Sequence, residues 1–289
     1  MTTTTTTTSD TAFLRFTKHH GAGNDFLVQV DPGSSGPLLP DLVQALCDRR
    51  FGVGADGVIR VLDGGGIADV TMVLQNADGS VAEMSGNGMR CLAQAAVQSA
   101  LVAPPTFTVA TPAGIMTVAY AQAADPDTAW ATVGMGRAEL GEDQTQKFAD
   151  RRVRTVDMGN PHLVMFGPDL DEVDVAGIGA HLQTVYEGGI NVEFIASGGE
   201  PDVLDLRVFE RGAGVTQACG TGSAAAAIAA RSWGLVGDVV AVRNPGGVLE
   251  VTLDGDRANL RGPVHRIASV VVDPVAVLEG VRPVTPPGP

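Results

Sequence analysis

Apolar residues are grouped along this chain in two distinct ways. Short runs that alternate or are rich in β-branched side chains, each closed by turn-forming residues, predict strands. In the first half these are residues 26–30, 70–74, 107–110 and 116–120; in the second, 163–166, 192–195, 204–209 and 248–253. Two other stretches are apolar on nearly every helical face. One runs from Gly88 through Met89, Leu92, Ala93, Ala95, Ala96 and Val97 to Leu101, the other from Gly222 through Ala224 to Ala230. A helix apolar all round has to be surrounded by protein. Among so many short strands, that predicts a sheet wrapped around each helix, with small Ala side chains letting the sheet come close. A further helix is predicted over residues 39–49, with Cys47 filling its packed face.

The pattern is written twice. Gly-Asn-Asp-Phe-Leu-Val at 23–28 returns as Gly-Asn-Pro-His-Leu-Val at 159–164, an offset of 136. Residues 51–58 return more loosely as 186–193, an offset of 135. Residues 76–88 return as 210–222, an offset of 134 that sets Cys219 opposite Ser85. Gly-rich loops resemble one another, so a single pair would carry little weight. Several landmarks in one order with so small a drift imply a duplication. The expected fold is therefore α+β, with two pseudo-symmetric domains, each a mixed β-barrel-like sheet around a central apolar helix.

Composition narrows the function classes. The 289 residues are enough for two ordinary domains, and 44% apolar with 18% charged is usual for a soluble globular chain. A net charge of -14 argues against nucleic acid, which needs a basic surface. The Thr-rich residues 1–10 lack the basic and apolar regions of a signal peptide and read as a disordered N-terminus. No apolar run is long enough to span a bilayer, so no membrane partner and a cytoplasmic location are expected. Three cysteines make no disulfide framework, and five histidines show no metal-ligand spacing. No phosphate-binding Gly-rich motif is present. Neither a metal nor a cofactor is expected.

The candidate chemistry sits where the two apolar helices begin. A helix start leaves backbone N–H groups without partners and carries partial positive charge, and glycines let a ligand come close. Ser85-Gly86-Asn87-Gly88 and Cys219-Gly220-Thr221-Gly222 are thus two anion cradles with a reactive side chain at each mouth, suited to a carboxylate. Either loop alone is more simply a Gly-rich cap. As a matched pair they can face one small molecule across a cleft, with Cys219 placed as nucleophile or base. Inverting a stereocentre without a cofactor needs this: one group removes the α-proton, another returns a proton to the opposite face, and donors around the carboxylate stabilise the carbanion.

At these residues the chain resembles the diaminopimelate epimerase family. The resemblance rests on 18–26 (Lys-His-His-Gly-Ala-Gly-Asn-Asp-Phe), 48–57 (Asp-Arg-Arg-Phe-Gly-Val-Gly-Ala-Asp-Gly), 76–80, Gly159-Asn-Pro-His162, Asn191-Val-Glu-Phe194, and Glu210-Arg-Gly-Ala-Gly with Ala218-Cys-Gly-Thr-Gly222, all in order. It implies a C-terminal segment that returns to the first domain, hence 11–129 plus 265–285 as one domain and 130–264 as the other. It implies substrate binding by Asn24, Asn76, Asn160, Asn191, Glu210 and Arg211. Gly86, Asn87, Gly220 and Thr221 would hold the reacting carboxylate through the helix starts. Cys219 would be one acid/base thiol, with His162 and Glu210 orienting groups at the reacting centre. Without the resemblance the asparagines read as turn residues, while Arg211 offers the fork a carboxylate fits. The partner implied is a small amino acid, diaminopimelate, and the resemblance leaves room for a homodimer.

Ser85 departs from the family, which has Cys there. Cys91 lies six residues on, more than a turn from the helix mouth, and cannot stand in. A hydroxyl is far less acidic than a thiol, and a helix terminus shifts a pKa by only about one unit. Ser85 is then either a Cys-to-Ser change that slows turnover or prevents a disulfide across the cleft, or a native hydroxyl paired with one thiol. Gly57 is a second departure, where many relatives carry a polar side chain. Three activities follow: epimerisation of LL- to meso-diaminopimelate for lysine and peptidoglycan synthesis, a related racemase, epimerase or hydroxyproline-type dehydratase using the Ser/Cys pair, or an inactive variant that only binds.

Overall fold

The computed structural model describes residues 13–148, 151–167 and 169–280; the Thr-rich segment 1–10 and the end of the 265–285 segment, 281–285, lie outside the described residues. The chain forms two closed barrels that share two strands. The first runs β1 (Leu14–Gly21), β2 (Asn24–Val30), β3 (Gly57–Asp63), β4 (Val70–Asn76), β6 (Thr106–Thr111), β7 (Gly114–Gln122), β8 (Thr128–Arg137) and β17 (Arg257–Val272), which returns to β1. A two-residue β5 (Val81–Ala82) hangs on β4. The second runs from β17 through β16 (Gly247–Asp254), β15 (Val239–Asn244), β13 (Val203–Glu210), β12 (Asn191–Ser197), β11 (Pro161–Phe166) and β10 (Arg152–Asp157) to β9 (Glu139–Asp143). Because β9 follows β8, and β8 pairs with β17, this ring closes too. A short β14 (Gly214–Thr216) pairs with β13.

The duplication is visible in the ladders. Each barrel has two parallel pairs, β2–β3 and β4–β6 in the first, β11–β12 and β13–β15 in the second. Register refines one repeat match: Phe26 faces Gly57 and His162 faces Asn191, so Gly57 corresponds to Asn191 at an offset of 134, one less than the motif match. β7 pairs with β8 over 129–133, while β1 takes up β17 from His265 onward, so the shared strands change partners near their middles.

Each barrel encloses one helix. α2 (Gly86–Gln98) is buried from Gly86 to Ala96, and α4 (Gly220–Ser232) from Gly220 to Ala230. Both begin two residues before the predicted glycine, because Ser85 and Cys219 are themselves the caps. In α4 the fit comes from size: Ala224 to Ala227, Ala229 and Ala230 are all fully buried, so enlarging one would force strands apart at a cost of about 1–3 kcal/mol. α2 differs. Arg90 and Gln94, a polar stripe one turn apart that periodicity would send to solvent, are fully buried. Outside the first barrel lie α1 (Pro40–Cys47), whose Leu42, Val43 and Leu46 cover Leu27 and Val58, and α5 (Pro274–Gly280). α3 (Val175–Val185), which the apolar pattern does not reveal, covers the second barrel at Phe194. Among the described residues no helix is long and apolar enough to cross a membrane.

Candidate active site

The helix starts meet. A Cβ placed on Gly220 would lie 3.1 Å from the Gly86 Cα and 3.0 Å from Leu260 of β17, so only glycines allow this approach. Leu260 and Met135, from the two shared strands, floor the contact. Ser85 and Cys219 flank it in matching poses: the Ser85 Oγ accepts from the Gly88 N–H at 3.1 Å, and the Cys219 Sγ from the Gly222 N–H at 3.3 Å. The first N–H groups of each helix, on Gly86 and Asn87 and on Gly220 and Thr221, precede these bonds and have no intrahelical acceptor.

Asn87 ties the two halves together. Its Nδ2 donates to the Ala218 carbonyl at 2.9 Å, across the barrel boundary, and lies 3.3 Å from Asn24 Oδ1. The Asn24 amide donates in turn to Asp56 at 2.7 Å. Arg49 clamps Asp56 and Asp25, and Lys18 adds a second cation on Asp25 at 2.9 Å. Burial pushes the Asp25 carboxyl up, but hydrogen bonds from Arg49 and Lys18 outweigh it and hold the group below its ordinary range. Asn87 and Asn24 are thus fixed by their neighbours rather than free to turn.

Around Cys219 the second barrel gathers several candidates. His162 and Glu193 are fully buried, with His162 Nδ1 2.7 Å from Glu193 Oε1 and His162 Nε2 3.0 Å from the Asn160 amide. Gly222 makes room for the Glu193 carboxylate: a Cβ there would stand 2.7 Å from its Oε1. Glu210 accepts from the Thr216 hydroxyl and meets the Cys219 thiol. Asn191 accepts from the Arg211 N–H at 3.0 Å and donates to the Pro161 carbonyl at 3.0 Å.

The electrostatics single out Cys219 by its neighbours. Burial raises Cys47 and Cys91 to about 12, and it raises Cys219 as well, with Glu210 and Glu193 adding to the effect. Only Cys219 sits at a helix start, where the Thr221 hydroxyl, 3.4 Å away, and the Gly222 N–H draw its pKa back down. Glu210 is raised too, first by burial. The thiol is protonated at rest, and Glu210 is the carboxyl that meets it.

Other expected site residues are placed less tightly. The exposed Asn76 pairs across the ladder with Gly57 and gives its amide to Ser80 at 3.0 Å, and none of its hydrogen bonds reaches another candidate. Arg211 is exposed, with Nη1 on the Gly188 carbonyl at 3.3 Å. Gly57 has no room for a side chain, since a Cβ would lie 2.5 Å from the Gln75 carbonyl. Sequence reasoning assigned no role to Glu193, although it lies inside the Asn191–Phe194 motif; a lone Glu in an otherwise apolar strand was the available signal. Among the described residues no group of His, Cys, Asp and Glu is arranged to hold a metal.

The sequence profile of the diaminopimelate epimerase family matches residues 16–141 and 154–267. The chain belongs to this family. It is 39% identical over 273 residues to the diaminopimelate epimerase of a Synechocystis species, covering 89% of this chain and 98% of that one. It is also 39% identical over 290 residues to the Streptomyces coelicolor diaminopimelate epimerase, covering 93% and 98%. In fold it matches a phenazine biosynthesis protein of the PhzF family from Bacillus anthracis, with a TM-score of 0.70 at 14% identity over 90% of this chain and 99% of that one.

Proposed function

We propose that the protein epimerises LL-diaminopimelate to meso-diaminopimelate in the cytoplasm, for lysine and peptidoglycan synthesis, without a cofactor. One observation carries the reading: Ser85 and Cys219 cap two helix starts that touch at Gly86 and Gly220. The substrate α-carboxylate is taken by the N–H groups of Gly86, Asn87, Gly220 and Thr221. Cys219, having passed its proton to Glu210, removes the α-proton and forms S–H. The electron pair moves into the carboxylate, where the helix starts stabilise it. A proton then reaches the opposite face of the α-carbon from the Ser85 hydroxyl, which recovers one from water, and Glu210 gives its proton to the hydroxide so formed. His162, oriented by Glu193, and Asn160, Asn191, Asn24, Asn76 and Arg211 hold the amino groups and the distal carboxylate. In this reading the two gripping units are residues 11–129 with 265–285, and 130–264.

A serine is a weak partner for this work, so turnover is slow and the Cys219 face dominates. Solvent-deuterium exchange into the diaminopimelate α-position, with the chain as it stands and with Ser85→Cys side by side, tests the reading. Exchange that rises in Ser85→Cys supports it. No exchange into any diaminopimelate isomer by either protein overturns it.

A further inference from the structure

Among the described residues Arg90 is the one strong cation inside the first barrel, and the reaction as derived does not use it. Its guanidinium is fully buried in the second turn of α2. It donates to the Gly86 carbonyl at 3.1 Å, the Asn87 Oδ1 at 2.9 Å and the Pro263 carbonyl at 3.2 Å. The slot is built for it: a Cβ on Gly21 would come 2.8 Å from its Nη2, and one on Gly262 3.1 Å from its Nε. No carboxylate among the described residues pairs with it, and burial lowers it to about 10. A buried cation without a counter-ion is costly to keep. Its partners are the peptide and the side chain that set the carboxylate cradle. The Gly86 carbonyl belongs to the same peptide unit as the Asn87 N–H, so a cation on the oxygen polarises that N–H as a donor. Through Oδ1 it also orients the Asn87 amide that grips Ala218, next to Cys219.

We propose that Arg90 is a positioning residue whose buried guanidinium, acting through Asn87 and the Gly86 peptide, is the counter-charge for the substrate's reacting carboxylate. This rests on the epimerase reading. Dissociation constants for meso-diaminopimelate, deuterium exchange rates and unliganded melting temperatures are measured for the chain, Arg90→Lys, Arg90→Gln and Arg90→Met. Charge is the expected determinant: Arg90→Lys binds within tenfold of the parent, while Arg90→Gln and Arg90→Met bind at least tenfold more weakly and exchange more slowly. This loss does not track the melting temperature. Should Arg90→Met not fold, Arg90→Lys against Arg90→Gln decides. Equal weakening in the Lys and Gln variants, following their melting temperatures, makes Arg90 a packing residue and overturns the proposal, as does unchanged binding in both neutral variants. If the parent chain neither binds nor exchanges diaminopimelate, the epimerase reading falls and the Arg90 role with it; if the parent does both, only the role of Arg90 is at stake.

Discussion

The two barrels share strand order, parallel pairs and a helix start aimed at one point, yet they bury opposite chemistry behind it. Behind the α2 start a Cβ on Gly88 would meet Ile59 and Met72, both apolar. At the matching place behind α4, one on Gly222 would meet the Glu193 carboxylate, which holds His162. Within the helices the contrast reverses: α2 carries Arg90, and α4 has Ala224 at the corresponding position. A duplicated scaffold has therefore become a cation behind Ser85 and a carboxylate–imidazole pair behind Cys219. Duplication fixes where the two caps stand, and substitutions in the second layer decide what each cap can do. Acid/base power is accordingly concentrated in the second barrel.

The sharpest way to break this comparison is to remove one cap. Cys219→Ala should reduce α-proton exchange by about a thousandfold or more, the upper part of what a positioned acid/base group supplies, as read by NMR in deuterated water. A smaller loss would mean that the second barrel does not carry the chemistry. Second-layer chemistry comes next. His162→Leu leaves Glu193 buried without its partner and should destabilise the protein by about 4 kcal/mol in denaturant titration. Ile59→Val, in the first barrel's matching layer, should cost about 1 kcal/mol. Similar values would erase the asymmetry.

Making the barrels more alike should raise activity. Ser85→Cys is expected to increase exchange by about a hundredfold, and an unchanged rate would show that Ser85 is not at the reacting carbon. The gentlest probe is pH. Burial keeps the Glu210 carboxyl above its ordinary value of 4.5 in the folded protein. The unfolded chain releases that proton first, so the stability it contributes is complete below 4.5 and is lost as pH rises through the folded-state value. Glu210→Gln should flatten that decline in a pH series of urea midpoints. A steeper decline in the variant would place the carboxyl on the charged side throughout.

The chain pattern alone determined a good deal. The eight strand runs fall inside observed strands, and the two largely apolar stretches are the barrel helices, because burial on every side leaves a signature that only Arg90 and Gln94 of α2 interrupt. Repeat spacing set Ser85 against Cys219 because equal offsets in two copies of one fold mark equivalent places. Local periodicity could not reveal α3, whose run of Val, Ala, Gly and Ile residues gives little contrast between its two faces, nor the inward turn of Arg90 and Gln94. Only tertiary structure decided that the helix starts touch, that Asn87 spans both halves and that Glu193 stands behind Cys219. These contacts join residues about 30 to 130 positions apart, and chain closure over such distances leaves no periodic trace in the sequence.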